Sequence, residues 1–148
     1  MNPVPSHSDS GVAWLESLLH EICVWAVQRP DVQAVALVGS WARGQARADS
    51  DVDLVMLCEQ PEAYRLNAVW PEQLFPGRVR AWIDADYGAV WSRHLTLKDG
   101  LEVELGCGQL QWASLTPVDP GTAEVLAGGF RILFDPHLLL QKLERQLG

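Results

Sequence analysis

The sequence predicts a mixed α+β domain, and three observations carry that reading. A helix-period apolar pattern opens the chain, a continuous apolar run follows it directly, and a strand–turn–strand pattern appears in the second half. Leu15, Leu18, Leu19, Ile22 and Ala26 recur at helical spacing, with Asp9 or Ser10 placed to cap the start and Pro30 to end it. Ala34–Val38 is apolar throughout, as expected for a strand buried on both faces, and Gly39 stops it. A polar stretch from Ser40 to Ser50 leads to a second strand, Val52–Cys58. Pro61–Phe75 reads as helix in pieces, interrupted near Pro71, and Arg78–Ile83 as another strand. Val90–Leu97 and Leu101–Cys107 flank Lys98-Asp99-Gly100, a hairpin turn. Pro120–Ala127 is a short helix, Phe130–Phe134 a last strand, and Pro136–Leu147 a closing helix with proline in its first turn.

At 148 residues the chain fits one domain with a core of its own, without disulfides or a structural metal. Met1–Ser10 has neither basic residues nor an apolar core segment. The expectation is a disordered Pro- and Ser-containing leader, followed by a single domain over residues 11–148 in the cytoplasm. No apolar run is long enough for a membrane span. Cys23, Cys58 and Cys107 are odd in number and widely spaced, so they read as small buried hydrophobes. The four histidines, His94 among them, show no metal-ligand spacing. The net charge of −8, without a Lys/Arg stripe, disfavours a nucleic-acid partner but leaves a nucleotide open as substrate.

Chemistry concentrates in Val38-Gly39-Ser40-Trp41-Ala42-Arg43-Gly44 and Asp49-Ser50-Asp51-Val52-Asp53. A strand ending in Gly-Ser lets backbone approach a ligand, and the following amides with the Ser40 hydroxyl present donors to an anion. Asp51 and Asp53, two apart at a strand start, project from one face. Their mutual repulsion calls for a cation, and magnesium suits carboxylates combined with substrate phosphates. A phosphate-holding turn beside an acidic pair suggests nucleotidyl transfer, with two metal ions roughly 3.5–4 Å apart clamping the attacking and leaving oxygens. That mechanism requires a third carboxylate. Glu102 and Glu104 share one face of their strand; we favour Glu104, but alternation alone does not choose between them.

Competing readings fare worse. Gln45 and Ala46 stand where a Walker loop requires Lys and Ser/Thr, and Leu54 replaces the glycine of a calcium loop. Asp84 and Asp86 repeat the Asp-x-Asp spacing without a preceding Gly-Ser turn, so they are set aside. Arg43 is placed to touch phosphate or to pair with an acid. Arg80 and Arg93 would reach an anionic substrate if their strands border the cleft but read first as solvated surface, and most of the seven tryptophans, including Trp82, Trp91 and Trp112, as core.

GSWARG followed by SDVDLVM resembles the signature of the polymerase-beta-like nucleotidyltransferase superfamily, especially its minimal nucleotidyltransferases and aminoglycoside adenylyltransferases. Gly39, Ser40, Ala42, Arg43, Gly44, Ser50, Asp51 and Asp53 carry the resemblance, and Trp41 fills a variable position. It implies a mixed sheet of about four or five strands with helices packed on one face. It also implies that Gly39 and Ser40 hold the triphosphate of ATP or another NTP, that Arg43 and Ser50 lie beside it, and that Asp51, Asp53 and Glu104 or Glu102 ligate magnesium. The antibiotic-modifying members carry a further helical domain, whereas only Pro120–Gly148 follows the triad here. The acceptor pocket is therefore expected to be shallow, or supplied by a second copy or another protein. Minimal members often work beside a helical HEPN-type partner, so an antitoxin-like binding subunit with weak or absent catalysis is the alternative to an enzyme.

Overall fold

The computed structural model describes residues 7–88, 90–113, 120–127 and 129–147. α1 (His7–Val27) leads into β1 (Val32–Val38), a four-residue helix α2 (Gly39–Ala42) and β2 (Val52–Cys58). Two one-turn helices, α3 (Pro61–Arg65) and α4 (Trp70–Leu74), precede three consecutive strands: β3 (Val79–Asp86), β4 (Val90–Leu97) and β5 (Glu102–Gly108). A short 3-10 turn (Leu110–Ala113), α5 (Pro120–Leu126), β6 (Arg131–Phe134) and α6 (Leu139–Leu147) complete the order.

The six strands form one sheet in the order β3-β4-β5-β2-β1-β6. Only β2 and β5 run parallel; every other neighbouring pair is antiparallel. One face packs on α1, α3 and α4, where Leu18, Ile22 and Trp70 meet Leu37, Leu54, Leu95 and Val103. This is the expected helical layer. A smaller second layer covers the other face at the β1 end, where Trp112, Leu126, Leu140 and Leu143 pack on Ala34, Ala36, Val55 and Leu57. The second layer goes beyond the helices on one face that the resemblance implies, and the six strands exceed its four or five while matching the six read from the sequence. Beyond the second layer, among the described residues, Ile83 on β3 is exposed and His94 on β4 half-buried on that same face.

Several boundaries shift for identifiable reasons. α1 starts at His7, so Asp9 and Ser10 lie inside the helix rather than capping it; residues 1–6 of the expected leader lie outside the described residues. The break in the Pro61–Phe75 region falls over residues 66–69, and Pro71 opens α4 instead of interrupting it. Proline's missing N–H costs nothing in a first turn. β3 runs on to Asp86 because its full length pairs with β4. α6 begins at Leu139, not Pro136: the Asp135 carboxylate accepts N–H groups from Leu140 (3.2 Å) and Gln141 (2.9 Å), capping the helix there. Cys58 and Cys107 are buried and Cys23 half-buried. Among the described residues, no helix is long and apolar enough to cross a membrane.

Candidate active site

β1 delivers the chain to Gly39, where φ is +74°. Left-handed backbone disfavours any residue with a Cβ, and a Cβ here would collide with the Asp53 carboxylate, whose own Cβ lies 3.2 Å from that point. The constraint follows from register: Val38 pairs with Asp53 across β1 and β2, so the turn presses directly on that carboxylate. α2 then begins with no side-chain cap on its first amides, while the Arg43 N–H donates to the Gly39 carbonyl. Trp41 anchors this turn: its Nε1 donates to the Ser50 carbonyl (3.1 Å) and its ring meets Trp14 of α1 edge-on at 5.4 Å. The Ser50 hydroxyl accepts the Arg47 N–H at 2.8 Å, closing the loop that delivers Asp51. Ser50 thus shapes the loop in this structure.

Alternation on β2 sends Val52 and Leu54 into the α1 side and leaves Asp53 on the opposite, open face. Across the parallel β2–β5 pair Asp53 lies beside Glu104, and across β5–β4 Glu104 lies beside His94. One row therefore crosses the sheet from the Gly39 turn through Asp53 and Glu104 to His94. Glu102, two residues before Glu104, shares that face, and Asp51 enters just ahead of β2. The His94 Nε2 lies 3.2 Å from Glu102 and 3.9 Å from Asp51, and its Nδ1 lies 3.5 Å from Glu104. The Ser92 hydroxyl donates to Glu104 at 2.9 Å.

Sequence reasoning paired Asp51 with Asp53 on one strand face and Glu102 with Glu104 on another, and the structure brings the two pairs to the same face of the sheet. It missed His94, whose only sequence signal was its period-2 offset from Ser92 and Thr96 on a strand facing the glutamates. Arg43 is exposed beside the turn, and its charge partly offsets the rise in the Asp53 pKa.

Electrostatics reflect the crowding. Burial first, and then the negative charges of Glu104 and Asp51, push the Asp53 carboxyl up to about 6. Asp51 is also raised, by burial and by Glu102, with His94 opposing. Burial lowers the His94 pKa, but the hydrogen bonds and charges of its acidic neighbours outweigh it and the net shift is upward. Among the described residues, His94 supplies the ion pairs of Asp51, Glu102 and Glu104. Four carboxylates with so little compensation, joined by an imidazole, suit a bound divalent cation. Asp51, His94 and Glu102 offer ligand atoms all within 4.8 Å of one another.

Beside Asp53 and Glu104 opens a cavity of about 440 Å³, walled by Val55, Val90, Tyr87 and Trp112, with Gly39 and Arg43 at its rim. Gly106 continues the open face of β5 beyond Glu104; any Cβ there would stand 2.9 Å from a Val90 methyl, so glycine permits the close packing of that wall. Trp112 is buried, yet it lines this cavity.

Arg93 overturns its surface reading. It is 3 % exposed, chelates Asp84 through Nε (2.8 Å) and Nη2 (2.9 Å), and donates to the carbonyls of Asn67 and Arg65. Trp70, Trp82 and Trp91 surround its guanidinium at 5.2–5.4 Å. Asp84 is thereby a structural partner, and Asp86 holds Arg65 and the Gly88 N–H. On β3, where Ile83 stands beside His94, the alternation turns Asp84 and Asp86 to the other face of the sheet. Arg80 is exposed.

The nucleotidyltransferase domain family matches residues 18–98, a span that includes the Gly39 turn, Asp51, Asp53 and His94 and ends just before Glu102. No curated protein matches the chain by sequence. Among solved structures it is similar to an aminoglycoside 6-adenyltransferase from Bacillus subtilis, with TM-score 0.50 and 15% identity over 68% of this chain and 36% of that one. It is also similar to Cid1, described by its RNA terminal uridylyl transferase activity, with TM-score 0.44 and 19% identity over 69% and 31% of the two chains. A GLD-2/RNP-8 complex gives 0.45 and 13% over 79% and 44%. The chain spans about a third of the first two structures' length, and the likeness to the adenyltransferase is one of fold.

Proposed function

This chain belongs to the nucleotidyltransferase domain family, and from that premise we propose that it moves a nucleoside monophosphate, AMP from ATP, onto a hydroxyl of a small molecule or protein in a magnesium-dependent reaction. One observation carries the reading above the others: the glycine turn that would receive phosphates presses on Asp53, which stands in register with Glu104. Phosphate recognition and charge compensation are thereby built onto adjacent strands.

In this reading the first amides of α2, the Ser40 hydroxyl and the Arg43 guanidinium hold the triphosphate. Asp51, Asp53 and Glu104, with Glu102 beside them, would hold two magnesium ions. Bound magnesium supplies Lewis-acid polarisation of the phosphate and offsets the carboxylate charge. Glu104, fixed by Ser92, would take the proton of the acceptor hydroxyl as its oxygen attacks the α-phosphorus, and pyrophosphate would leave, held by the α2 amides and Arg43, with Asp53 as a metal ligand. The electrostatic contribution comes from groups already in place before substrate arrives, which is where phosphoryl transfer gains most. The cavity beside them gives the nucleoside or acceptor an apolar wall. A face carrying four carboxylates favours a neutral or cationic acceptor over a polyanion.

Calorimetry of ATP binding, with and without magnesium, tests the reading on wild type and on Asp51→Ala/Asp53→Ala. Magnesium-dependent binding lost in the double variant supports it. Wild type that binds no ATP removes the enzyme reading and leaves the antitoxin-like subunit of a HEPN-type helical partner. That alternative anticipated an apolar patch near Trp112 or the last helix. Trp112 is buried, but among the described residues Leu110 and Val125 beside it and Leu138 and Leu147 at the last helix are exposed, as are Ile83 on β3 and Tyr87 just after it.

A further inference from the structure

His94 and Glu102 lie outside the Asp51–Asp53–Glu104 set, yet both face Asp51. Ligand atoms of Asp51, His94 and Glu102 lie within 4.8 Å of one another. Two donors bound to one first-row ion at about 2.0–2.2 Å each stand at most about 4.4 Å apart. Two of the three pairs, His94 Nε2 to Glu102 at 3.2 Å and to Asp51 at 3.9 Å, already lie inside that limit.

The orientation of the ring adds a second constraint. Nε2 faces Glu102 and Asp51, whereas Nδ1 faces Glu104, its register partner on β5. Glu104 is itself steadied by the Ser92 hydroxyl. An Nδ1–H directed at Glu104 leaves the Nε2 lone pair toward the other two carboxylates. A carboxylate behind an imidazole is how metal-binding histidines are commonly oriented. Magnesium prefers all-oxygen surroundings and holds its water, while imidazole suits transition ions.

We propose that Asp51, His94 and Glu102 form a mixed nitrogen–oxygen cation position, which makes this site prefer Mn²⁺ to Mg²⁺. The inference rests on the metal-dependent reading above and deepens it. It also gives the two glutamates separate contacts: Glu102 shares this ion with His94 and Asp51, while Glu104, beside Asp53, keeps its place in the first reading and faces Nδ1. A counter-ion role for His94 predicts the opposite result, because removing a positive charge from the carboxylates would tighten binding of both ions.

The test uses the full chain without nucleotide. Mn²⁺ binding is followed by electron paramagnetic resonance, ¹⁴N coupling to the bound Mn²⁺ by electron spin-echo envelope modulation, and Mg²⁺ binding by competition. Wild type should show directly bound imidazole nitrogen. His94→Gln should lose that signal and weaken Mn²⁺ binding by about tenfold or more, with Mg²⁺ affinity changed much less. Wild type that binds Mn²⁺ without nitrogen coupling, or binds none, overturns the proposal whatever the variant does. So does a His94→Gln protein that binds Mn²⁺ as tightly as wild type. Magnesium-dependent ATP binding measured on the same wild-type sample tells the two failures apart: if it persists without nitrogen coupling, only this inference falls, and if it is also absent, the nucleotide reading falls with it.

Discussion

Gly39→Ala should damage the protein through two separable effects, and Gly44→Ala isolates one of them. Both glycines sit at positive φ, +74° and +70°, where a residue with a Cβ costs about 1–2 kcal/mol. Nothing lies within 4 Å of a Cβ built on Gly44, so its substitution carries that conformational cost alone. A Cβ on Gly39 instead meets the Asp53 carboxylate, with further contacts to Asp53 Cβ and Cγ at 3.2 Å. Forcing an atom into a filled space costs about 1–3 kcal/mol more, so Gly39→Ala should lose about 2–5 kcal/mol in total. The collision also displaces the carboxylate we assign to metal binding, and a shift of about 1 Å at a reacting centre lowers rate by about 100-fold. Urea unfolding of both variants gives the stabilities, and magnesium-dependent ATP binding gives the site effect. In an Asp53→Ala background the collision with Oδ2 disappears, and the extra cost of Gly39→Ala should shrink. Equal destabilisation by the two glycine substitutions, with ATP binding untouched in both, would refute the close-contact argument.

Arg93→Met should cost about 1–3 kcal/mol, because it leaves the Asn67 and Arg65 carbonyls without their donor, while Asp84, 34% exposed, turns to water. By contrast Arg131→Ala, which breaks an exposed pair with Glu16, should cost under about 1 kcal/mol; urea midpoints at constant slope compare the two. Asp53 holds its proton to about pH 6 in the folded chain against a usual value of 3.8, so the native state binds the extra proton between those values. Metal-free stability should therefore fall as pH rises through that window, and the raised His94 extends the fall upward. Melting in EDTA across pH 4.5–7.5 checks this (about three pH units spanning the shift), and a midpoint rising steadily with pH would contradict it. Burial pushes the Cys58 thiol up to about 12 and raises Cys107 as well, so both should resist iodoacetamide until the protein is unfolded; mass spectrometry reads the difference.

What could be read before the structure was whatever local chemistry encodes. The β2 boundaries, Val52–Cys58, follow from an apolar run that can only be buried on both faces, and the β4–β5 turn from Gly100. Asp51 and Asp53 were legible because two acids before such a run need compensation. Pairing partners carry no comparable local mark. That Glu104 lies beside Asp53, rather than elsewhere along the strand, is a matter of parallel register between β2 and β5, strands that α3, α4, β3 and β4 separate in the chain. Arg93 looked like an ordinary surface arginine because its acceptors, Asn67 O and Arg65 O, are backbone atoms of a helix break.

The same distinction explains why His94 was missed and why it matters. A histidine on a β-strand carries no ligand spacing of its own; its meaning comes from the strand beside it. Once β4 pairs antiparallel with β5, His94 must lie against Glu104, and Glu102 follows two residues away on the same face. The parallel β2–β5 pair then fixes Asp53 on the other side of Glu104. Two independent registers therefore converge on one glutamate, and that convergence is what joins the Gly39 turn to the imidazole. A one-residue slip in either pairing would turn Glu104 away from one of its neighbours and dissolve the row. The site's chemistry is thus as much a property of strand register as of the Gly-Ser and Asp-x-Asp motifs that first revealed it.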